Sequence, residues 1–232
     1  MKKTQQKNSK DETTPWMKWA YVGIAVIVAV AMVGSYLAPM FGSSQKAQAG
    51  DVAQVGYTIR NGDGRPLVTT NPDLLSSEYA KGNMVFLTSN LEMLVGGQAS
   101  SEDVAPVPIL YPETNGTVGF GLLGFETNAI AAALVGMQPG ETKTIKLDYG
   151  TDDLDINLSA EEANGIDLNF TQMGVGDLFL REFMISSGIP VGGENNMTPT
   201  LRFWEVADKT DDSMLVTCRY SSAEITLNAI SG

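Results

Sequence analysis

Histidine is absent from the 232-residue chain, and cysteine occurs once. The first absence removes the commonest general base and the commonest nitrogen ligand for a metal. The second excludes an intramolecular disulfide and any cysteine-built metal site. Cys218 lies between Leu215-Val216-Thr217 and Arg219-Tyr220, which alternate like a strand, so it reads as a structural thiol. No G-x-S-x-G with catalytic partners and no cluster of metal-ligating residues occurs, which leaves hydrolases and metalloenzymes without their chemistry. Neither a metal nor a cofactor is expected.

Basic residues are also scarce, 15 against 27 acidic ones, and they are unevenly placed. Five of them lie at or before Lys18. Residues 42–232 keep 10 basic and 25 acidic side chains, a net of −15. Such a surface argues against nucleic acid or anionic lipid as a partner of the globular part.

Residues 1–15 are polar, lysine-rich and aperiodic, the composition of a disordered cytoplasmic tail. From Trp16 the sequence becomes apolar, and no charged residue stands between Trp19 and Phe41. A run of that length crosses about 30 Å of hydrocarbon as one helix. Trp16, Trp19, Tyr21 and Tyr36 sit near its ends, as interfacial anchors do. Five lysines precede it, so residues 16–41 read as a single-pass signal anchor with the N-terminus cytoplasmic and the remainder outside. A cleaved signal peptide is the rival reading, because Ala47-Gln48-Ala49 fits an A-x-A site. The run exceeds a usual signal core, and the candidate site lies well past its end. Residues 42–50 form a small-residue linker. Glycosylation sequons at Asn115, Asn157, Asn169 and Asn196 accord with an outside location.

The globular part opens with Val52, Val55, Tyr57 and Ile59 on one strand, Asn61-Gly62-Asp63-Gly64 as a tight hairpin, and a return strand to Thr70. Asn71-Pro72-Asp73 starts a helix over 74–80, stopped by Lys81-Gly82-Asn83. Residues 84–94 fit strand or helix, 96–103 a loop, and 107–111 a strand. The stretch from Gly119 to Gly150 is central. It reads as a tight glycine-rich entry, an apolar helix around 129–135 and a type II turn at Gln138-Pro139-Gly140-Glu141. An alternating strand over 142–147 and a closing Tyr149-Gly150 follow. Later, Ser159 and Glu162 make a capping box, 178–184 reads as a strand, and 201–206 pairs with 213–220 across an acidic turn. Residues 223–230 alternate like a last strand.

The order of helix, turn and edge strand, with Asp63-Gly64, Thr69-Thr70, Gly124-Phe125-Glu126 and Tyr149-Gly150, resembles the FKBP class of peptidyl-prolyl isomerases. The extra helix after Thr70 resembles archaeal members, and the strand-rich block after Gly150 resembles the insert-in-flap domain of SlyD-type members. The resemblance implies an α+β fold: an antiparallel half-barrel sheet wrapped on a short helix, a β-rich inserted domain, and one N-terminal transmembrane helix. The isomerase-like domain would span 51–153, completed by 219–232, with 154–218 as the insert.

Carried across, the catalytic pocket comprises Tyr57, Leu67, Val68, Phe125 and Tyr149, with Leu122, Leu123, Ile130 and Leu227 binding substrate. The pocket floor is either Phe125, on chemistry, or Ile130, on spacing. Leu67 and Val68 stand where the family has phenylalanine and aspartate. Leucines and valines at alternating strand positions are also what any core requires. Prolyl isomerisation needs no nucleophile or metal, only a dry pocket that favours the twisted amide over a barrier of about 18–20 kcal/mol. The expectation is a membrane-anchored, extracytoplasmic isomerase and chaperone for proline-containing or unfolded polypeptides. The alternative is a catalytically weak or inactive binding module or cell-envelope interaction protein.

Overall fold

The structure, a computed structural model, describes residues 45–100, 103–111, 116–150, 154–184 and 199–231. The anchor read over 16–41 and the sequons at Asn115 and Asn196 lie outside the described residues. Among the described residues no helix is long and apolar enough to cross a membrane.

Two six-stranded sheets form the framework. In the first, β1 (Val52–Arg60) is flanked by β12 (Ser222–Ser231) on one side. On the other it meets β2 (Pro66–Thr69) and β4 (Leu91–Leu94). β7 (Thr142–Lys146) extends the sheet beyond β12, and the two-residue β3 (Phe86–Leu87) extends it beyond β2. The second sheet runs from β5 (Val104–Tyr111) through β6 (Gly116–Leu123) to β10 (Pro199–Lys209), then β11 (Ser213–Thr217) and β8 (Asp155–Ser159). β9 (Leu178–Met184) pairs with β10. A single bridge between Thr88 and Ile109 joins the region after β3 to β5.

Local chemistry explains most elements. The β1–β2 hairpin closes as Arg65 N–H donates to the Asn61 carboxamide at 2.8 Å and Gly64 takes φ +78°, open to glycine without strain. Helix α1 (Pro72–Ala80) starts where the Asn71 side chain accepts from the N–H groups of Asp73 and Leu74. At Gln138–Glu141 the i+2 residue Gly140 has φ +86°, and Glu141 N–H donates to Gln138 O at 2.9 Å, as a type II turn demands. Helix α3 (Ala160–Gly165) carries the reciprocal Ser159–Glu162 capping box.

The α+β half-barrel is overturned by this topology. Strand predominates, and the sheets are mixed rather than antiparallel, since β2–β3 and β6–β10 pair in parallel. The cause lies in GTVGFGLL, residues 116–123. From Gly119 it reads as a tight glycine-rich entry to the helix, but the segment is extended along its whole length and pairs with β5 from Gly116 to Leu123. A Cβ at Gly121 would stand 2.9 Å from Val104 Cγ1 and 3.2 Å from Thr200 Oγ1, so the glycine permits β5 and β10 to approach there. β10 then pairs with β6, so strands from 154–218 continue the sheet begun by 104–123.

The main core lies between the sheets. It joins Val55, Tyr57 and Ile59 to Ile109, Phe120 and Phe203, with Ile130 and Leu134 of helix α2 (Gly124–Leu134). A second core gathers Phe170, Trp204, Val206, Met214 and Val216. Phe203 and Trp204 serve different cores because successive strand side chains point to opposite faces.

Candidate functional site

Each carried-over residue is placed by its element, and nearly all face inward. Tyr57, Leu67, Val68, Leu122, Ile130 and Leu227 belong to the main core cluster and are excluded from solvent. Leu123 and Tyr149 are buried as well, outside that cluster. Phe125 alone is half-buried, its ring tilted against Tyr149 with centroids 6.3 Å apart.

Tyr57 and Leu122 share the main core with an aromatic group. Phe86 meets Phe203 at 5.5 Å between centroids, and Phe120 meets Tyr220 at 6.0 Å and Phe203 at 6.4 Å. The Tyr57 hydroxyl is engaged with Thr88 Oγ1 at 3.2 Å, and Thr88 in turn donates to Pro108 O. Burial pushes the Tyr57 phenol up to about 12, against the Thr88 hydrogen bond and with help from the Glu126 charge. A 200 Å³ depression lies against the same strand between Gly56 and Thr58. Tyr57 is its one aromatic lining residue; Thr70, Asn90, Glu224, Thr226 and Asn228 line the rest with hydroxyls, carboxamides and a carboxylate.

Sequence reasoning singles out Tyr149 and the motif that contains Glu126, but assigns no role to their partner Arg202. Glu126, at the third position of helix α2, and Arg202, in mid-β10, are both 0 % exposed and form a bidentate ion pair. Glu126 Oε1 accepts from Arg202 at 2.8 Å and from the Tyr149 hydroxyl at 2.6 Å. Oε2 accepts from Arg202 at 3.1 Å and from Leu123 N–H at 2.8 Å. Two donors on each oxygen complete the carboxylate's capacity. Arg202 also donates to Gly121 O and Cys218 O, and its guanidinium lies 4.5 Å from the Tyr220 ring centroid. Tyr220 N–H donates to the Tyr149 oxygen at 3.0 Å.

Burial opposes the Arg202 charge, but Glu126, with smaller help from Tyr220 and Cys218, outweighs it and holds the guanidinium protonated well beyond its usual range. The Tyr149 phenol is driven upward by burial and then by the Glu126 charge. Burial likewise raises Tyr220 and the Cys218 thiol, which favours the protonated phenol and thiol. The network ties α2, β6, β10 and the segments before β8 and β12 together. Its arrangement is that of a structural lock. The available signal in the sequence is an arginine set in LRFWEV, a charge beside two aromatic residues in a mostly apolar strand.

Asn157, on β8, and Asn169 are exposed; the Asn169 carboxamide accepts from Thr171 Oγ1 and Gln172 N–H. Among the described residues no group of three or more metal-ligating side chains is assembled. No protein-family model matches the chain, and no characterised protein matches it in sequence.

Proposed function

We propose that this chain is a single-pass membrane-anchored protein whose globular part is an extracytoplasmic, non-catalytic polypeptide-binding module. The observation that carries this reading is the burial of the residues expected to turn over substrate. Tyr57, Leu67, Val68, Leu122, Ile130 and Leu227 are spent on a core, and the one buried carboxylate beside them has every lone pair occupied. A polypeptide partner fits strand addition. Among the described residues β7 and β8 pair on one side only, and β8 presents the exposed Ile156. Retention of the anchor is supported by Ala47, which the rival cleavage after Ala49 would remove. It is buried, and its backbone exchanges 2.8 Å hydrogen bonds with Gly136 and Met137.

The test uses the full chain in phosphatidylcholine nanodiscs with a substrate whose refolding is limited by proline isomerisation. The expected result is an unchanged refolding rate together with suppressed aggregation. Acceleration that Phe125→Ala abolishes would instead establish the isomerase reading. Phe125 is the right control because truncating Tyr57 or Tyr149 removes core.

A further inference from the structure

The described chain enters the domain at Gln45, only four residues after Phe41, the last residue of the apolar run. Four residues span at most about 14 Å. The surface around that entry is built from three segments. Ala47 pairs with Gly136 and Met137, Gly50 N–H donates to Val95 O, and Gly96 N–H donates to Ala131 O. Asn128 exchanges hydrogen bonds with the Ala99 backbone. The segments are therefore contiguous: 45–50, 91–100 and 128–138.

Their composition is unlike the rest of the domain. In a globular part with 25 acidic side chains, these three segments hold one acid, Glu92, and one base, Lys46, inside a rim of Asp51, Asp103 and Glu141, whose carboxylates accept from the N–H groups of Gln48, Ser100 and Gln138. Leu94 and Val135 project with 54 % and 52 % of their surface exposed, and Ala49 and Ala132 are exposed beside them. Beside Leu94 runs a 220 Å³ groove whose apolar lining, Met93, Leu94, Ala99 and Ala131, is joined by the polar Gln98, Thr127 and Asn128. Large apolar tips with few charges between them, inside an acidic rim, are matched to a zwitterionic surface rather than an anionic one.

We propose that this patch rests on the lipid surface of the same bilayer that holds the anchor, with Leu94 and Val135 entering the headgroup region. The inference rests on the anchor reading above. Contact of this kind is driven by apolar burial rather than by charge, so it needs no anionic lipid.

The native thiol makes the test clean, because Cys218 is buried in the second core. Leu94→Cys, Val135→Cys and Val175→Cys each then offer one reactive site for an environment-sensitive fluorophore. Val175 is 65 % exposed and neighbours Gly176, which approaches Asp63 in the hairpin at the far end of β1. The full-length variants are reconstituted in phosphatidylcholine vesicles and washed with alkaline carbonate. Release from the vesicles overturns the anchor reading and this inference with it. For retained protein, nitroxide on the lipid acyl chains is expected to quench positions 94 and 135 several-fold more than 175, with iodide showing the reverse order. Iodide quenching at 94 and 135 equal to that at 175, without lipid quenching, overturns the patch and leaves the anchor standing. Protection from both quenchers, with cross-linked dimers forming through position 94, overturns it too, since a second copy would then be the occupant.

Discussion

At the residue scale the decisive feature is the Glu126–Arg202 pair. Two charges removed from water hold together only because every carboxylate lone pair and four of the guanidinium's bonds find partners. Replacing one member leaves the other charge buried and uncompensated. Arg202→Met is therefore expected to cost about 3–5 kcal/mol in urea denaturation, and adding Glu126→Gln to it should recover part of that loss. The phenols make a second prediction. Tyr57 is raised from the ordinary phenol value to about 12, and Tyr149 and Tyr220 move in the same direction. A folded value above the unfolded one means that the fold favours the protonated phenol. The stability it contributes is complete below about pH 10 and is lost as pH rises through 12. Denaturation midpoints followed together with phenolate absorbance should fall over that window. A midpoint unchanged up to pH 12 would contradict the burial of these rings.

At the element scale, β6 decides how the second sheet is assembled. Its glycines weaken intrinsic strand preference, yet Gly121 lets Val104 and Thr200 close upon it. Gly121→Ala is expected to cost about 1–3 kcal/mol by thermal or urea unfolding, because a β-branched neighbour has little room to give. Gly62→Ala, with nothing within 4 Å of the added carbon, serves as the comparison and should change stability far less. The elements with local punctuation are legible in the sequence: the Asn61–Gly64 hairpin, the Asn71 cap, the Pro139-Gly140 turn and the Ser159 capping box. β6 is not, because its glycines signal a turn while its pairing partners lie far along the chain at 104–111 and 200–201.

For the whole molecule, residues 45–232 form a single compact unit. β10 supplies Phe203 to the main core, Trp204 to the second core and Arg202 to the lock. A detachable insert over 154–218 would leave a folded remainder when deleted. Joining residue 153 to 219 instead removes Arg202 and Phe203 while leaving Glu126 in place, so the product is expected to show no cooperative unfolding transition. Calorimetry of the deletion variant checks this, and a retained sharp transition would speak for an independent domain.

Sequence by itself determined the ends and turns of most elements, because capping side chains and glycines act on neighbours a few residues away. It also determined the apolar character of β1, the alternation of β12 and the charge asymmetry about the apolar run. Only the tertiary structure decided that Leu67, Val68, Leu122 and Leu227 are buried in one core. An apolar side chain at a strand position has the same sequence signature in a core or in a pocket. Whether it meets solvent or Phe120, Phe203 and Tyr220 depends on which distant strands pair, and the parallel meeting of β6 with β10 is a contact that no local pattern encodes.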